Sequence, residues 1–199
     1  MTRLFPKGDP ELSLEGFLDE VASAEILPGG GYVAAISLAM AAGLVAMAAR
    51  LSRDDWAEAR GAAAQAEALR FRGVTLAERN ARAYKDAVAA MGGGEDTEAA
   101  SRDDLIAEAL DRAADVPLQI AEAAADVAEL AAVVAERCEP SVRADVAVGG
   151  LLSHAGARGA AELIAVNLGA TPNDERVAYA RELAGNAQTA LERTLRAIS

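Results

Sequence analysis

The sequence predicts an all-α fold, an elongated bundle of long, alanine-rich helices. Hydrophobic residues make up 52% of the 199 residues but aromatic residues only 4%, and much of the apolar content is alanine, which favours helices and disfavours strands. Apolar residues recur at helical spacing between glycine, proline and capping residues. No repeat or linker is visible, so we expect one domain over residues 1–199. Alanine cores bury little area per residue, so we expect an oligomer to complete the core.

The charge and the cysteine content narrow the class of protein. A net charge of −12 and a pI of about 4.6 argue against nucleic-acid partners and anionic membrane surfaces, which need basic surfaces. The single cysteine, Cys138, excludes an intrachain disulfide framework, and the N-terminus shows no apolar leader segment, so we expect a cytoplasmic protein. One histidine and one cysteine cannot form a typical zinc site, so we expect no metal.

A glycine run in front of an uncharged stretch is the strongest local feature. Pro28-Gly29-Gly30-Gly31 interrupts regular structure, and the next eighteen residues, Tyr32 to Ala49, carry no charge. We predict a helix here that is buried on most sides. The unpaired amide groups at its start could bind an anion. The alternative is that the glycine run is only a tight turn without a ligand. The alanine and glycine content disfavours a membrane span.

The remaining elements follow from apolar spacing and capping residues. Small residues at every fourth position, Ala35, Ala39 and Gly43, predict a close approach by another helix, either within the chain or across a dimer. Residues 1–10 form an arm, and the glycine run at 92–94 with the following acids forms a solvated loop. Helices are predicted from Ser13 to Ser23 (apolar face Leu14, Phe17, Leu18, Val21), Tyr32 to Leu51, Asp54 to Met91, Ser101 to Cys138 with a kink or restart near Asp115 because of Pro117, Ser141 to Leu168, and from the cap at Thr171-Pro172-Asn173-Asp174 to Ala197.

Few residues are candidates for chemistry. Asp145 begins an apolar, glycine-containing stretch, where a carboxylate serves as acid or base, or merely interacts with the helix dipole. Arg82 belongs to a basic strip with Arg72 and Arg79, which holds an anion or is a solvated face with a Glu78–Arg82 pair. His154 and Cys138 are better explained as helix and packing residues than as catalytic groups.

Several segments together resemble the cyclodeaminase/cyclohydrolase family, which includes the formimidoyltetrahydrofolate cyclodeaminase domain and free-standing methenyltetrahydrofolate cyclohydrolases. The Pro-Gly-Gly-Gly stretch with its apolar helix is the most specific of them, and the resemblance covers nearly the whole chain. The segments are Phe17 to Ser23, Pro28 to Ala35, Ala114 to Leu118, Ser141 to Val148, and Gly159 to Leu168.

The resemblance implies an all-α homodimer that binds a tetrahydrofolate derivative as substrate, without a metal, at the subunit interface. The implied reaction breaks a C–N bond of the one-carbon unit between N5 and N10, by adding water (a hydrolase) or by losing ammonia (a lyase). Asp145 and Asn80 stand at catalytic positions. The implied substrate-binding residues are Pro28, Gly29, Gly30, Gly31, Tyr32, Arg82 and Asn167.

The chain departs from the family pattern at polar positions. Leu27 replaces a threonine, Tyr32 a serine, Asn80 an aspartate and Leu163 an asparagine. Asn80 cannot act as a carboxylate base. Three hypotheses therefore stand side by side: a cyclohydrolase or cyclodeaminase, a non-catalytic relative that binds folate or another small ligand, and a helical assembly protein. The sequence does not distinguish water addition from ammonia loss, and it does not distinguish a dimer from a tetramer.

Overall fold

The computed structural model describes residues 13–25, 27–54, 56–92, 99–169 and 173–199, and all regular structure in these ranges is helical. The predicted all-α class is confirmed. The predicted arm at 1–10 and most of the glycine loop after Gly92 lie outside the described residues. The described residues form six α-helices in succession: α1 (Leu14–Ala22), α2 (Gly30–Leu51), α3 (Ala59–Gly92), α4 (Ala99–Ala135), α5 (Arg143–Asn167) and α6 (Glu175–Ile198), with a 3₁₀ turn at Pro140–Val142.

Helix α2 is the centre of the packing, as its uncharged sequence predicts. It packs between α3 and α5 and against α4, while α6 packs on α4 and α5. Ala35, Leu38, Ala42 and Val45 are fully or almost fully inaccessible to solvent. By length and composition α2 is the one helix among the described residues that is apolar enough to cross a membrane, yet 67% of its most apolar window is buried inside the protein. The core accounts for its apolarity.

Glycines let the neighbouring helices approach α2 at backbone distance. A Cβ added to Gly73 of α3 would lie 3.0 Å from the Ala39 Cβ and 3.1 Å from the Ala35 carbonyl oxygen. On the other side, a Cβ at Gly149 or Gly156 of α5 would lie 3.2–3.3 Å from a carbonyl oxygen of α2. The predicted small-residue row is therefore an intrachain contact. The same contacts show that α3 and α5 both run antiparallel to α2.

Helix α3 begins later than predicted, at Ala59 rather than near Asp54. The buried Ser52 explains the break between α2 and α3. Its hydroxyl donates to the Ala48 carbonyl, and its oxygen accepts from the Glu139 amide at 2.9 Å, which ties this turn to the distant end of α4.

Helix α4 differs from the prediction because it starts at Ala99, before Ser101, and runs through Pro117 without a restart, ending at Ala135. Proline has no N–H, so the carbonyl of Ala113, four residues earlier, loses its helical partner. The side-chain amide of Asn167 supplies a replacement, with its Nδ2 3.4 Å from that oxygen. One polar side chain of α5 thus compensates for the proline in α4.

Helix α1 buries less than its predicted apolar face. Its Ser13 cap is confirmed, since the side chain accepts from the Gly16 amide, but only Phe17 is buried. Leu14 and Leu18 remain 71% and 54% exposed. Nine residues give α1 little more than two turns, and only one residue of its face reaches the body of the protein.

An ionic cluster fixes the start of α6 to α4. The predicted cap is confirmed at Asp174, whose carboxylate accepts from the Arg176 amide and pairs with the Arg176 guanidinium at 2.8 Å. Arg176 also pairs with Asp111 and Asp115 of α4. Hydrogen bonds from the Arg176 side chain and amide hold the pKa of Asp174 below its usual range.

Gly73→Val should lower the free energy of unfolding by about 1–3 kcal/mol, because the added side chain has no room against the backbone of α2. Gly185→Val in α6 is the matched control, since a Cβ there meets nothing within 4 Å, and it should be neutral or slightly stabilising. Urea denaturation of both variants measures the difference. Equal effects of the two changes would contradict the close packing.

Asp174→Asn should be less stable than the wild type above about pH 4 and equally stable in strong acid. The pKa of Asp174 is depressed in the folded state, so its contribution is present above the unfolded pKa of about 3.9 and is lost as the pH falls through the lower folded pKa. Asparagine retains the cap, so the variant isolates the charge. Thermal melts between pH 2 and 7 measure this, and a pH-independent difference would refute the assignment.

Candidate functional site

The glycine run lies where the chain enters α2, and it leaves the helix start open. A cis peptide bond joins Leu27 to Pro28. Gly29 is the N-cap residue and makes no side-chain cap, so the first amides of α2 have no intrahelical partner. Gly30 is exposed, and a Cβ there would find only the Leu163 side chain at 3.8 Å. A ligand can therefore approach the backbone at this point.

Gly31 and Asn80, two of the predicted site residues, touch each other. A Cβ at Gly31 would lie 2.6 Å from the Asn80 Nδ2 atom, so only glycine fits there while Asn80 keeps its position. Asn80 is one of the few polar side chains buried within the described residues, at 9% exposure. The amide side chain thus stands where α3 meets the start of α2.

Tyr32 is buried beside the glycine run, with its ring centroid 5.9 Å from that of Phe17. Burial, followed by the negative charges of Glu78 and Glu20, raises the pKa of Tyr32. Its phenol is therefore protonated at neutral pH and remains a hydrogen-bond donor.

The same electrostatic effect identifies two carboxylates at this end of the molecule, Glu78 and Glu20, that the sequence did not single out. Glu78 precedes Asn80 by two residues on α3, and the sequence gave it a role only as a partner of Arg82. The structure contains no Glu78–Arg82 ion pair among the described residues. Both acids lie near the glycine run because α1 and α3 pack beside it, and a single sequence does not reveal how helices pack.

The basic strip is divided between different partners. Arg72 pairs with Glu122 of α4 at 3.2 Å, and Arg79 donates to Gln119 at 2.7 Å. Arg82 is exposed and makes no ion pair with any described residue. Of the three, Arg82 is therefore the one available to an anion near the glycine run.

Two further predicted site residues, Asn167 and Asp145, are not brought to the glycine run as free polar groups of the same chain. Asn167 lies one turn beyond Leu163, but its amide nitrogen is bonded to the Ala113 carbonyl. Asp145 lies in the first turn of α5, at the opposite end of that helix from Leu163. At roughly 1.5 Å per residue the two are about 27 Å apart, so one chain does not bring Asp145 to the glycine run.

No group of three or more histidine, cysteine, aspartate or glutamate side chains within the described ranges could hold a metal ion. Cys138 is buried, and burial raises the pKa of its thiol. An inert packing role for Cys138 agrees with this environment.

The chain is an all-α domain with a glycine-rich entry into its central buried helix. The family model described as Formiminotransferase-cyclodeaminase matches residues 13–186, which includes the glycine run and reaches into α6. The chain belongs to this family, as the sequence resemblance predicted.

Two relatives refine this membership. The chain is 36% identical over 163 residues to the methenyltetrahydrofolate cyclohydrolase of Methylorubrum extorquens, covering 78% of each protein. It superposes on the crystal structure of formiminotetrahydrofolate cyclodeaminase from Thermotoga maritima with a TM-score of 0.81, covering 94% of this chain and 96% of the other at 23% identity. The second likeness establishes the fold alone.

Gly31→Ala should lower the free energy of unfolding by about 1–3 kcal/mol because the new methyl group displaces the buried Asn80 amide. Asn80→Ala in the same background should relieve most of that loss, giving a coupling of about 1–3 kcal/mol. Urea denaturation of the four proteins of the cycle measures the coupling. Additive single effects would show that the two side chains do not meet.

Proposed function

We propose that the protein is a folate-dependent one-carbon enzyme, a methenyltetrahydrofolate cyclohydrolase. The observation that carries the proposal is the 36% identity to a cyclohydrolase of this name over 78% of both chains. The open glycine run, with the touching pair Gly31 and Asn80 and a buried phenol beside it, supplies the site.

The reaction requires water to attack a cationic carbon between two nitrogens. A carbon–oxygen bond forms, one carbon–nitrogen bond breaks, one water proton moves to the freed nitrogen and the other is released. We assign the carboxylate of Glu78 to stabilising the cation and taking the water proton, since its charge reaches Tyr32 beside the glycine run. Glu20 adds negative charge at the same place. Pro28 and the amides of Gly29, Gly30 and Gly31 orient the folate.

The other predicted roles remain proposals. Tyr32 and Asn80 donate hydrogen bonds to the substrate or to its water, and Arg82 binds a carboxylate. Asn167 adds a hydrogen bond through its amide oxygen, because its nitrogen is engaged with Ala113. Asp145 can act at the glycine run only from a second subunit.

A cyclodeaminase is the second candidate, favoured by the family description. Loss of ammonia from a formimino group also needs a proton moved at nitrogen near a positive carbon, so the same groups would serve. Water addition and ammonia release are separated by assay with each substrate.

We further propose a homodimer of elongated single-domain subunits. The side of α2 turned away from the core carries one row at alternating spacings of four and three residues, without a charge. Met40 and Leu51 of this row are 52% and 56% exposed. The full row is Val33, Ser37, Met40, Leu44, Met47 and Leu51. The helices that pack on either side of α2 also carry exposed apolar residues, Phe71 on α3 and Val148 and Leu151 on α5. Such a seam suits a second helix.

The net charge of −12 supports a protein that binds neither nucleic acid nor membranes. A location in the cytoplasm is proposed from the single cysteine. The carbon that water attacks is already cationic in the methenyl substrate, so the reaction needs no metal to activate it, and we propose none.

Glu78→Gln should lower kcat for hydrolysis of 5,10-methenyltetrahydrofolate by about 100-fold or more, because the amide neither takes a proton nor stabilises a cation. Glu182→Gln on the exposed side of α6 is the control and should leave kcat unchanged. Decay of the methenyl absorbance measures both.

Asp145→Asn is measured in the same way. A loss of kcat as large as that of Glu78→Gln would show that the aspartate of the second subunit, rather than Glu78, takes the water proton.

Met40→Glu should convert the dimer into monomers, because a charge in the centre of the apolar row would be buried without a partner. Leu195→Glu replaces an exposed apolar residue of α6 and should leave the dimer intact. Sedimentation equilibrium measures the mass of each. A wild-type monomer, or a dimer that survives Met40→Glu, would refute the proposed seam.

A further inference from the structure

We infer that arginines of one subunit hold the glutamate end of the folate whose one-carbon end lies at the glycine run of the partner subunit. The inference rests on the proposed function and on the proposed dimer. Its residues are Arg50, Arg53 and Arg60, which none of the roles above uses.

The three arginines surround a cavity of about 580 Å³ between the end of α2 and the start of α3. Alanine side chains supply the apolar part of its lining. The lining residues are Ala49, Arg50, Arg53, Arg60, Ala63, Ala64, Glu67 and Ala68. The volume lies within the range of small-molecule sites.

Ion pairs within the described structure neutralise only part of the positive charge that lines this cavity. Glu67 is the one acid in the lining, and it pairs with both Arg70 and Arg50, which hold its pKa below the usual range. Among the described residues Arg53 pairs with its neighbour Asp54 alone, at 3.7 Å with both side chains largely exposed. Arg60 has no ion pair with a described residue. The three arginines and one glutamate of the lining therefore leave two positive charges, one of which lies beside the exposed Asp54 carboxylate.

Distance separates this cavity from the glycine run within one chain. Gly31 and Arg50 stand at opposite ends of α2, about 28 Å apart at roughly 1.5 Å per residue. An extended folate with one glutamate measures about 20 Å from ordinary bond lengths. One subunit cannot hold both ends of such a molecule at these two places.

A two-fold axis across the middle of α2 removes this separation. Gly31 meets Asn80 at one end of the α2–α3 groove, and Arg50 meets Glu67 at the other end. In such a dimer the two copies of α2 pack antiparallel along their exposed rows. The end of the row at Leu51 in one subunit then lies opposite the Val33 end of the row in the other. The arginine cavity of the partner then faces the Gly31–Asn80 end of the groove.

Charge favours this arrangement over a parallel one. Parallel copies of α2 would put two arginine cavities against each other, with four excess positive charges in one place. The antiparallel arrangement sets each cavity opposite Glu20, Glu78 and Arg82, which together carry one negative charge. The two positive charges of the cavity lining match the two carboxylates of one glutamate, which arginine binds in a bidentate manner.

Arg53→Gln/Arg60→Gln should raise KM for the methenyl substrate about 10- to 100-fold with little change in kcat, since each lost charge-assisted contact weakens binding of an unreactive part of the molecule. Arg181→Gln/Arg196→Gln on α6 makes the same change in net charge and should leave KM unaltered. Equal KM values for the two double variants would overturn the inference.

Subunit mixing tests whether the arginines act across the interface. Gly30→Val blocks the glycine run, and its side chain has room beside Leu163. A dimer of one Gly30→Val subunit and one arginine-variant subunit contains one intact site if the ends come from different chains, and none if they come from the same chain. Random mixing should restore about a quarter of the wild-type rate at subsaturating substrate. No recovery in mixtures where native mass spectrometry shows heterodimers would overturn the inference.

Binding of fragments separates this inference from the proposed reaction. Wild-type protein should bind p-aminobenzoyl-glutamate more tightly than p-aminobenzoate in calorimetry, and Arg53→Gln/Arg60→Gln should abolish the difference. If the wild type binds the glutamate fragment in this way but hydrolyses no methenyl folate, the reaction fails and the arginine site stands. If it hydrolyses the folate and the arginine variant binds both fragments like the wild type, the arginine site fails alone.

Discussion

Backbone-distance packing on α2 is the constraint on which the rest of the structure depends. Gly73 on one side and Gly149 and Gly156 on the other each bring a helix to within van der Waals contact of α2 carbonyl oxygens. Alanine cores stabilise a protein only when helices come this close, because each side chain contributes little area. The same closeness puts Asn80 against Gly31, so the shape of the candidate site is a consequence of the core.

The fold class was predictable because its determinants are local. Alanine content, the uncharged stretch after Tyr32 and the caps at Ser13 and Asp174 are properties of neighbouring residues, and the structure agrees with each. The errors occurred where distant residues decide. The turn at Ser52 depends on the Glu139 amide, 87 positions away, and Pro117 is tolerated inside α4 because Asn167 reaches the carbonyl that it leaves unpaired.

The candidate site was predictable only in part, for the same reason. Pro28 to Tyr32 stand together because they are consecutive, and Asn80 joins them as the resemblance implied. Glu20 and Glu78 could not be selected from the sequence, since nothing local distinguishes them from the other acids of an acidic chain. Asp145 was attractive for its apolar neighbours, yet its helix carries it to the far end of the molecule. Its proposed role therefore depends on a second subunit.

The central claim is that a folate is bound at the start of α2. Calorimetric titration of the protein with 5-formyltetrahydrofolate, a stable one-carbon folate, tests it most directly, with Gly30→Val as the comparison. We expect saturable binding of one ligand per subunit, lost when valine covers the exposed amides at Gly30. Absence of binding to the wild type, or equal binding to the variant, would contradict it.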